Sequence, residues 1–349
     1  MNKIYSILPL FFFISGCGIN SVLVPMVGIP TTNLLTREYY EDKYQKYDTS
    51  YRKINKFFEH RVPRGPYSLY AREFSRTSKL DKPVILLLHG FPDSLHIYDQ
   101  VAPKLSRQYR VISFDFLGWG KSDKPDDHIY NSASLYHDLE TIIAYFNFEK
   151  VSLVLHDASG PPGIDWAINN PNKMDMLVLL NTYYQPMEVL RTPEAIETFS
   201  TPSLKRSIIR TGAKISNYGW RTGFQNQLNK FFYSEEIKET MVPVLTHQAM
   251  NIRTSFFQLN NVLNQEAKIR LNKKQKLYKY FGYVKIIFGK DDPYLNSKVA
   301  EKLNEILPNS ELNLVGNAAH FVQLDQPSKV ANLILTEKIS NKKLAERQK

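Results

Sequence analysis

The stretch Val151–Gly163, VSLVLHDASGPPG, leaves a chain few ways to fold. Val151 to Leu155 is a five-residue run suited to a buried strand. Small residues follow, and Ile164-Asp165-Trp166-Ala167 reads as the helix beyond them. A strand that gives way to a helix this abruptly pushes one side chain out at the apex of the turn. His156 precedes that apex, Asp157 occupies it, and Ala158 and Ser159 supply the small residues a tight turn needs. Pro161 and Pro162 fall in the first helical turn, where a missing N–H costs no hydrogen bond. The apex residue is a carboxylate. Taken alone, the plainer reading is a surface aspartate at a strand end; the rest of the chain decides against it by supplying partners in order.

Runs with strand character alternate with helical spacing on both sides of this turn. Lys56–Val62 and Tyr67–Phe74 flank the turn signal PRGP and read as an antiparallel hairpin at a sheet edge. Pro83–Leu88 is continuously apolar, as a strand covered on both faces should be, and His89-Gly90-Phe91-Pro92 follows at once. Arg110–Asp115 is the next strand, and Leu135–Phe146 has helical spacing. Met176–Leu180 is the strand after the Asp157 helix. From Tyr184 to about Tyr280 the alternation stops in favour of helical patterns rich in aromatics, lysine and arginine. Strands return at Tyr283–Phe288 and Leu312–Val315, separated by an amphipathic helix over Ser297–Leu307. The glycine pair after Asp115 lacks the third glycine of a dinucleotide-binding fingerprint.

Several motifs together resemble the α/β-hydrolases. HGFP at His89–Pro92 resembles their oxyanion loop, with His89 itself read as structural, as are His137 and Asp138. DFLGWGKSDKP, Asp115–Pro125, resembles a scaffold loop of epoxide hydrolases and haloalkane dehalogenases. The Asp157 turn is then the family's nucleophile elbow, although a proline pair stands where the family mostly has glycine. The family's acid lies three residues after a glycine such as Gly289, which selects Asp292, or Asp291 if the loop is shifted. Gly316–Pro327, with His320 among small residues ahead of Phe321, resembles the catalytic-histidine loop, with Ala319 in place of the commoner glycine. The resemblance implies a mostly parallel eight-stranded sheet with helices on both faces and a helical cap inserted after strand 6. The core would span 55–184 and 281–349, and the cap 185–280.

An aspartate at the elbow resembles the branch holding epoxide hydrolases, haloalkane and fluoroacetate dehalogenases and mesoderm-specific-transcript-like hydrolases. By that resemblance Asp157 attacks carbon to form an ester, and His320, oriented by Asp292, activates the water that hydrolyses it. The backbone N–H groups of Phe91 and Ala158 would hold the oxyanion. Halide-binding members carry tryptophan or asparagine at positions held here by Ala158 and Phe91, and fluoroacetate dehalogenases an arginine beside the nucleophile. Epoxide hydrolases use tyrosines as proton donors, for which Tyr183, Tyr184, Tyr218 and Tyr233 are candidates, and His156 before Asp157 matches their form. An epoxide hydrolase of a small apolar substrate is the first expectation, with no cofactor and no metal. A haloalkane dehalogenase, an ester hydrolase, or a non-catalytic membrane-anchored binding protein of the same fold are the alternatives.

The N-terminus and the charge speak of location. Lys3, the apolar run Ile4–Ile14 and then Ser15-Gly16-Cys17 have the parts of a bacterial signal peptide. Ile14–Cys17 also resembles a lipobox, and Cys17 is the sole cysteine of the 349 residues, which excludes an internal disulfide. We expect a signal over 1–17 ending at lipidated Cys17, a tether over 18–54, and attachment to a cell-envelope membrane. An uncleaved N-terminal transmembrane anchor is the alternative. A net charge of +11 favours an anionic membrane surface, since no nucleic-acid motif accompanies it.

Overall fold

The structure is a computed structural model that describes residues 36–74, 82–273 and 277–336. Cys17 and the leader lie outside the described residues. Among these residues, no helix is long and apolar enough to cross a membrane.

Eight strands form one sheet: β1 (Phe58–Arg64), β2 (Tyr67–Phe74), β3 (Val84–Leu88), β4 (Arg110–Asp115), β5 (Val151–Asp157), β6 (Met174–Thr182), β7 (Val284–Gly289) and β8 (Ser310–Val315). Their order is β1-β2-β4-β3-β5-β6-β7-β8, antiparallel where β2 meets β1 and β4 and parallel elsewhere. Successive residues of a strand point to opposite faces, yet Ile85–Leu88 and Val151–Leu155 are buried throughout. Both faces are therefore covered. The covering helices are α2 (Ala102–Leu105), α3 (Ser132–Tyr145), α4 (Gly160–Asn169), α10 (Ser297–Ile306), α11 (Val322–Asp325) and α12 (Pro327–Leu335). Between β6 and β7 lie α5 (Glu194–Ser200), α6 (Leu204–Ile215), α7 (Asn217–Leu228), α8 (Glu235–Gln248) and α9 (Arg253–Arg270), which make the cap.

The segment expected as a tether is instead ordered over its second half. Residues Arg37–Ile54 form a helix, α1, capped by Thr36, whose hydroxyl accepts from the Tyr39 N–H at 3.2 Å. Tyr40, Tyr44, Asp48 and Tyr51 recur at helical spacing and are buried. Asp48 meets the buried Arg72 of β2, whose guanidinium donates to Asp48 at 3.1 Å, to Asp99 at 3.0 Å and to the Tyr70 hydroxyl at 3.1 Å. Phe57 lies under the same guanidinium, 4.6 Å from ring centre. Removing one partner of a buried ion pair strands the others in a medium that solvates charge poorly. Arg72→Met should accordingly cost about 3–5 kcal/mol of stability, read as a lower urea midpoint with unchanged slope; a midpoint within error of wild type would refute the account of α1 docking.

Candidate active site

The elbow is tight because its backbone leaves no alternative. Asp157 has φ of 49°, a left-handed conformation uncommon outside glycine, which costs roughly 1–3 kcal/mol. The surroundings hold it there. The Thr182 hydroxyl donates to the Asp157 carbonyl at 2.5 Å, and the His156 N–H donates to Ser159 Oγ at 2.9 Å. Glycine is required on both sides: a Cβ on Gly160 would strike Thr182 Oγ1, and one on Gly90 would lie 2.5 Å from Asp157 Cβ. The Phe91–Pro92 bond is cis.

Three loops at the carboxyl ends of the strands converge on Asp157. The backbone N–H of Phe91, after β3, donates to Asp157 Oδ1 at 2.9 Å. His320, between β8 and α11, places Nε2 3.8 Å from Asp157 Oδ2, an ion-pair rather than a hydrogen-bond separation. Its Nδ1 lies 2.8 Å from Asp292 Oδ2, after β7. Asp292 is further tied by the N–H groups of Tyr294 and Leu295 at 2.9 and 3.1 Å and by Asn181 Nδ2 at 2.9 Å. Asp291 faces away and accepts the Ala318 N–H at 3.3 Å, so Asp292 is the partner of His320. Burial opposes charge on His320, but the Asp292 carboxylate, its hydrogen bond and the Asp157 charge outweigh burial and raise the imidazole to about 9. Burial also opposes the charge on Asp292, yet His320 and the donors around it hold that carboxyl below its ordinary value. Asp157 moves the other way, raised chiefly by burial against the opposing pull of His320 and His156.

A cavity of about 420 Å³ opens over this floor, beneath the cap. Trp220, Phe224 and Phe256 belong to its apolar wall, with Phe256 stacked on Phe91 at 5.1 Å. The Trp220 indole N–H is already engaged with the Ala249 carbonyl at 2.9 Å. Of the four tyrosines expected as proton donors, Tyr183 alone lines the cavity. Tyr184 is buried with its hydroxyl donating to Asp165 at 2.8 Å, and Tyr218 and Tyr233 are exposed on the cap. Those three do not line the cavity: Tyr184 lies in the bend after β6, Tyr218 on the outer side of α7 and Tyr233 in the bend before α8.

The site also contains residues that sequence reasoning passed over. Tyr294 lines the cavity two residues beyond Asp292, and Asn181 braces Asp292 from the end of β6. Asp93 lines the cavity one residue after HGFP; it is buried, with Oδ2 3.6 Å from His156 Nδ1, and its charge helps to raise both Asp157 and His320. His89 accepts the Phe116 N–H at 3.1 Å, and Asp138 accepts from Arg64 at 2.8 Å, away from the floor. Asp138 is raised to about 6 by its burial. Among the described residues, no group of three or more His, Cys, Asp or Glu side chains is arranged to hold a metal ion.

Fold and floor define a hydrolase architecture. Residues 83–327 match the alpha/beta hydrolase fold family, and the chain belongs to it. A fluoroacetate dehalogenase of a Burkholderia species is 37% identical over 116 residues, 31% of this chain but only 38% of that enzyme's length. Epoxide hydrolase 4 of the mouse, Mus musculus, is 24% identical over 277 residues, 72% of each chain. The solved structure of a haloalkane dehalogenase from Bradyrhizobium elkani superimposes with a TM-score of 0.65 at 18% identity, covering 80% of this chain and 96% of that one, a likeness of fold.

Proposed function

We propose that this chain hydrolyses small apolar epoxides through an ester formed on Asp157. The observation that carries the proposal is the paired environment of one carboxylate: Oδ1 on the Phe91 N–H at 2.9 Å, Oδ2 facing His320 at 3.8 Å. Oδ2 attacks an epoxide carbon, the carbon–oxygen bond breaks, and its electron pair goes to the ring oxygen. That oxygen takes a proton from the Tyr183 hydroxyl, which burial and then the Asp157 charge keep protonated. Esterification removes the Asp157 charge, so His320 loses one of the groups that hold it near 9 and passes its proton on, restoring Tyr183. Neutral His320 then takes a proton from water as the water attacks Asp157 Cγ. The N–H groups of Phe91 and Ala158 hold the oxyanion on Oδ1, one such donor being worth about 3 kcal/mol. Collapse breaks the Cγ–Oδ2 bond, Oδ2 leaves in the diol with the proton of the water-derived hydroxyl, and Asp157 is again a carboxylate with His320 as imidazolium.

Halide displacement is the second reading, favoured by the fluoroacetate dehalogenase relative. Against it, Ala158 and Phe91 present no side-chain donors, and the Trp220 N–H is already engaged. The two readings separate on one hydroxyl. Tyr183→Phe should slow epoxide turnover at least about 100-fold while an activated alkyl halide still alkylates Asp157 at its former rate. Unchanged epoxide turnover in this variant, or wild-type turnover of halides alone, would contradict the epoxide assignment.

A further inference from the structure

The cap presents to solvent a helix face that the hydrolytic site does not use. The inner side of α6 belongs to the cavity, where Ile209 and Ala213 are buried in its wall. On its outer side Leu204 is 78% exposed, Ile208 58% and Ile215 80%. Single exposed apolar residues are ordinary. These three differ because spacings of four and seven put them on one stripe. Lys205 and Lys214, both exposed, fall about a quarter turn to either side of it. No acidic residue occurs in the helix. Arg206 and Arg210 turn inward, one donating to Asn261 and the other stacked 4.9 Å over Phe257. The outward surface is therefore an apolar stripe between two lysines, the composition of a helix that lies in the plane of a membrane interface.

The path of the chain points the same way. The first turns of α1 pack on the cap: the Tyr40 hydroxyl bonds Gln225 of α7, and Glu41 lies 2.8 Å from His247 of α8, on which Tyr44 stacks at 4.3 Å. The 36 residues that precede α1, including the apolar run Ile4–Ile14, thus join the molecule at the cap. A leader held in a bilayer brings the cap, not the far edge of the sheet, to that bilayer, and the net charge of +11 draws it to anionic lipid. We propose that the outer face of α6 docks on an anionic lipid surface.

The test uses the full chain with Cys17→Ser, which leaves the apolar leader in place and frees the dye for one engineered thiol. An environment-sensitive fluorophore is attached at Ile208→Cys or, as reference, at Phe281→Cys, exposed just ahead of β7 at the opposite ends of the strands from the site. On vesicles containing phosphatidylglycerol, the label at 208 should shift blue and be quenched by iodide roughly fivefold less, while the label at 281 stays as in water. Vesicles of phosphatidylcholine alone, or Lys205→Glu with Lys214→Glu, should remove most of the change at 208. Equal quenching at 208 and 281 on vesicle-bound protein would mean that the chain hangs by its leader alone and would overturn the proposal. A blue shift at 208 without lipid, which indicates a second copy on this face, or one indifferent to lipid charge, would overturn it too.

Discussion

His320→Gln should stop the reaction after its first bond is made. In the proposed mechanism Asp157 attacks carbon without help from a base, so the ester should still form. Its hydrolysis needs a group to take water's proton, and glutamine cannot. General-base catalysis of this kind contributes about 10²–10⁴-fold, so the ester should build up to the concentration of the protein within one turnover. Mass spectrometry of the peptide bearing Asp157 would then carry the added mass of one epoxide. Glutamine preserves much of the imidazole's volume beside His156 and Phe321, which lie 4.7 and 5.2 Å from His320 between ring centres, so the loss reflects chemistry rather than collapse. Retained multiple turnover in the folded variant would remove His320 from the mechanism.

Asp292→Asn should have an effect of similar size for a different reason. Asp292 orients the ring through Nδ1 and supplies the largest charge favouring the imidazolium. With an amide there, burial dominates and the His320 pKa should fall from about 9. The sign follows from charge: losing a neighbouring anion favours the neutral ring. The base-dependent limb of the pH profile should therefore move to lower pH. Turnover should nonetheless fall by about 10³–10⁴, because an amide no longer fixes the tautomer that leaves Nε2 free toward Asp157. Nuclear magnetic resonance titration of His320 checks the shift and steady-state kinetics the loss. Asp291→Asn, which loses only its contact with the Ala318 N–H, should change neither. An upward shift of His320 in the Asp292 variant would contradict this electrostatic account.

The parts of this site that could be read in the sequence are those fixed by local geometry. An apolar strand ending in small residues permits one kind of turn, so Asp157 could be located by counting. His320 and Asp292 lie in loops whose small residues and turns are local too. The four candidate tyrosines could not be narrowed to Tyr183 from the sequence, because which tyrosine faces the cavity depends on how the segments over the floor pack. Tyr183 enters through the end of β6, while Tyr218 and Tyr233 turn outward. Tyr294 and Asp93 were within reach, as they follow motifs already singled out. Helix α1 was missed because a charged, tyrosine-rich stretch looked like a solvated tether. Its signal was the 4-3-4 spacing of Tyr40, Tyr44, Tyr47 and Tyr51, a stripe that makes sense only once buried Arg72 supplies its centre.

The central claim is that Asp157 is covalently esterified and that water attacks its own carbonyl. One turnover of enzyme in excess over epoxide, run in water enriched in heavy oxygen, distinguishes this from attack of an activated water on the substrate. After proteolysis, the Asp157 peptide should be heavier by one labelled oxygen and the diol unlabelled. Label found in the diol, with Asp157 unlabelled and Asp157→Ala still active, would contradict the account.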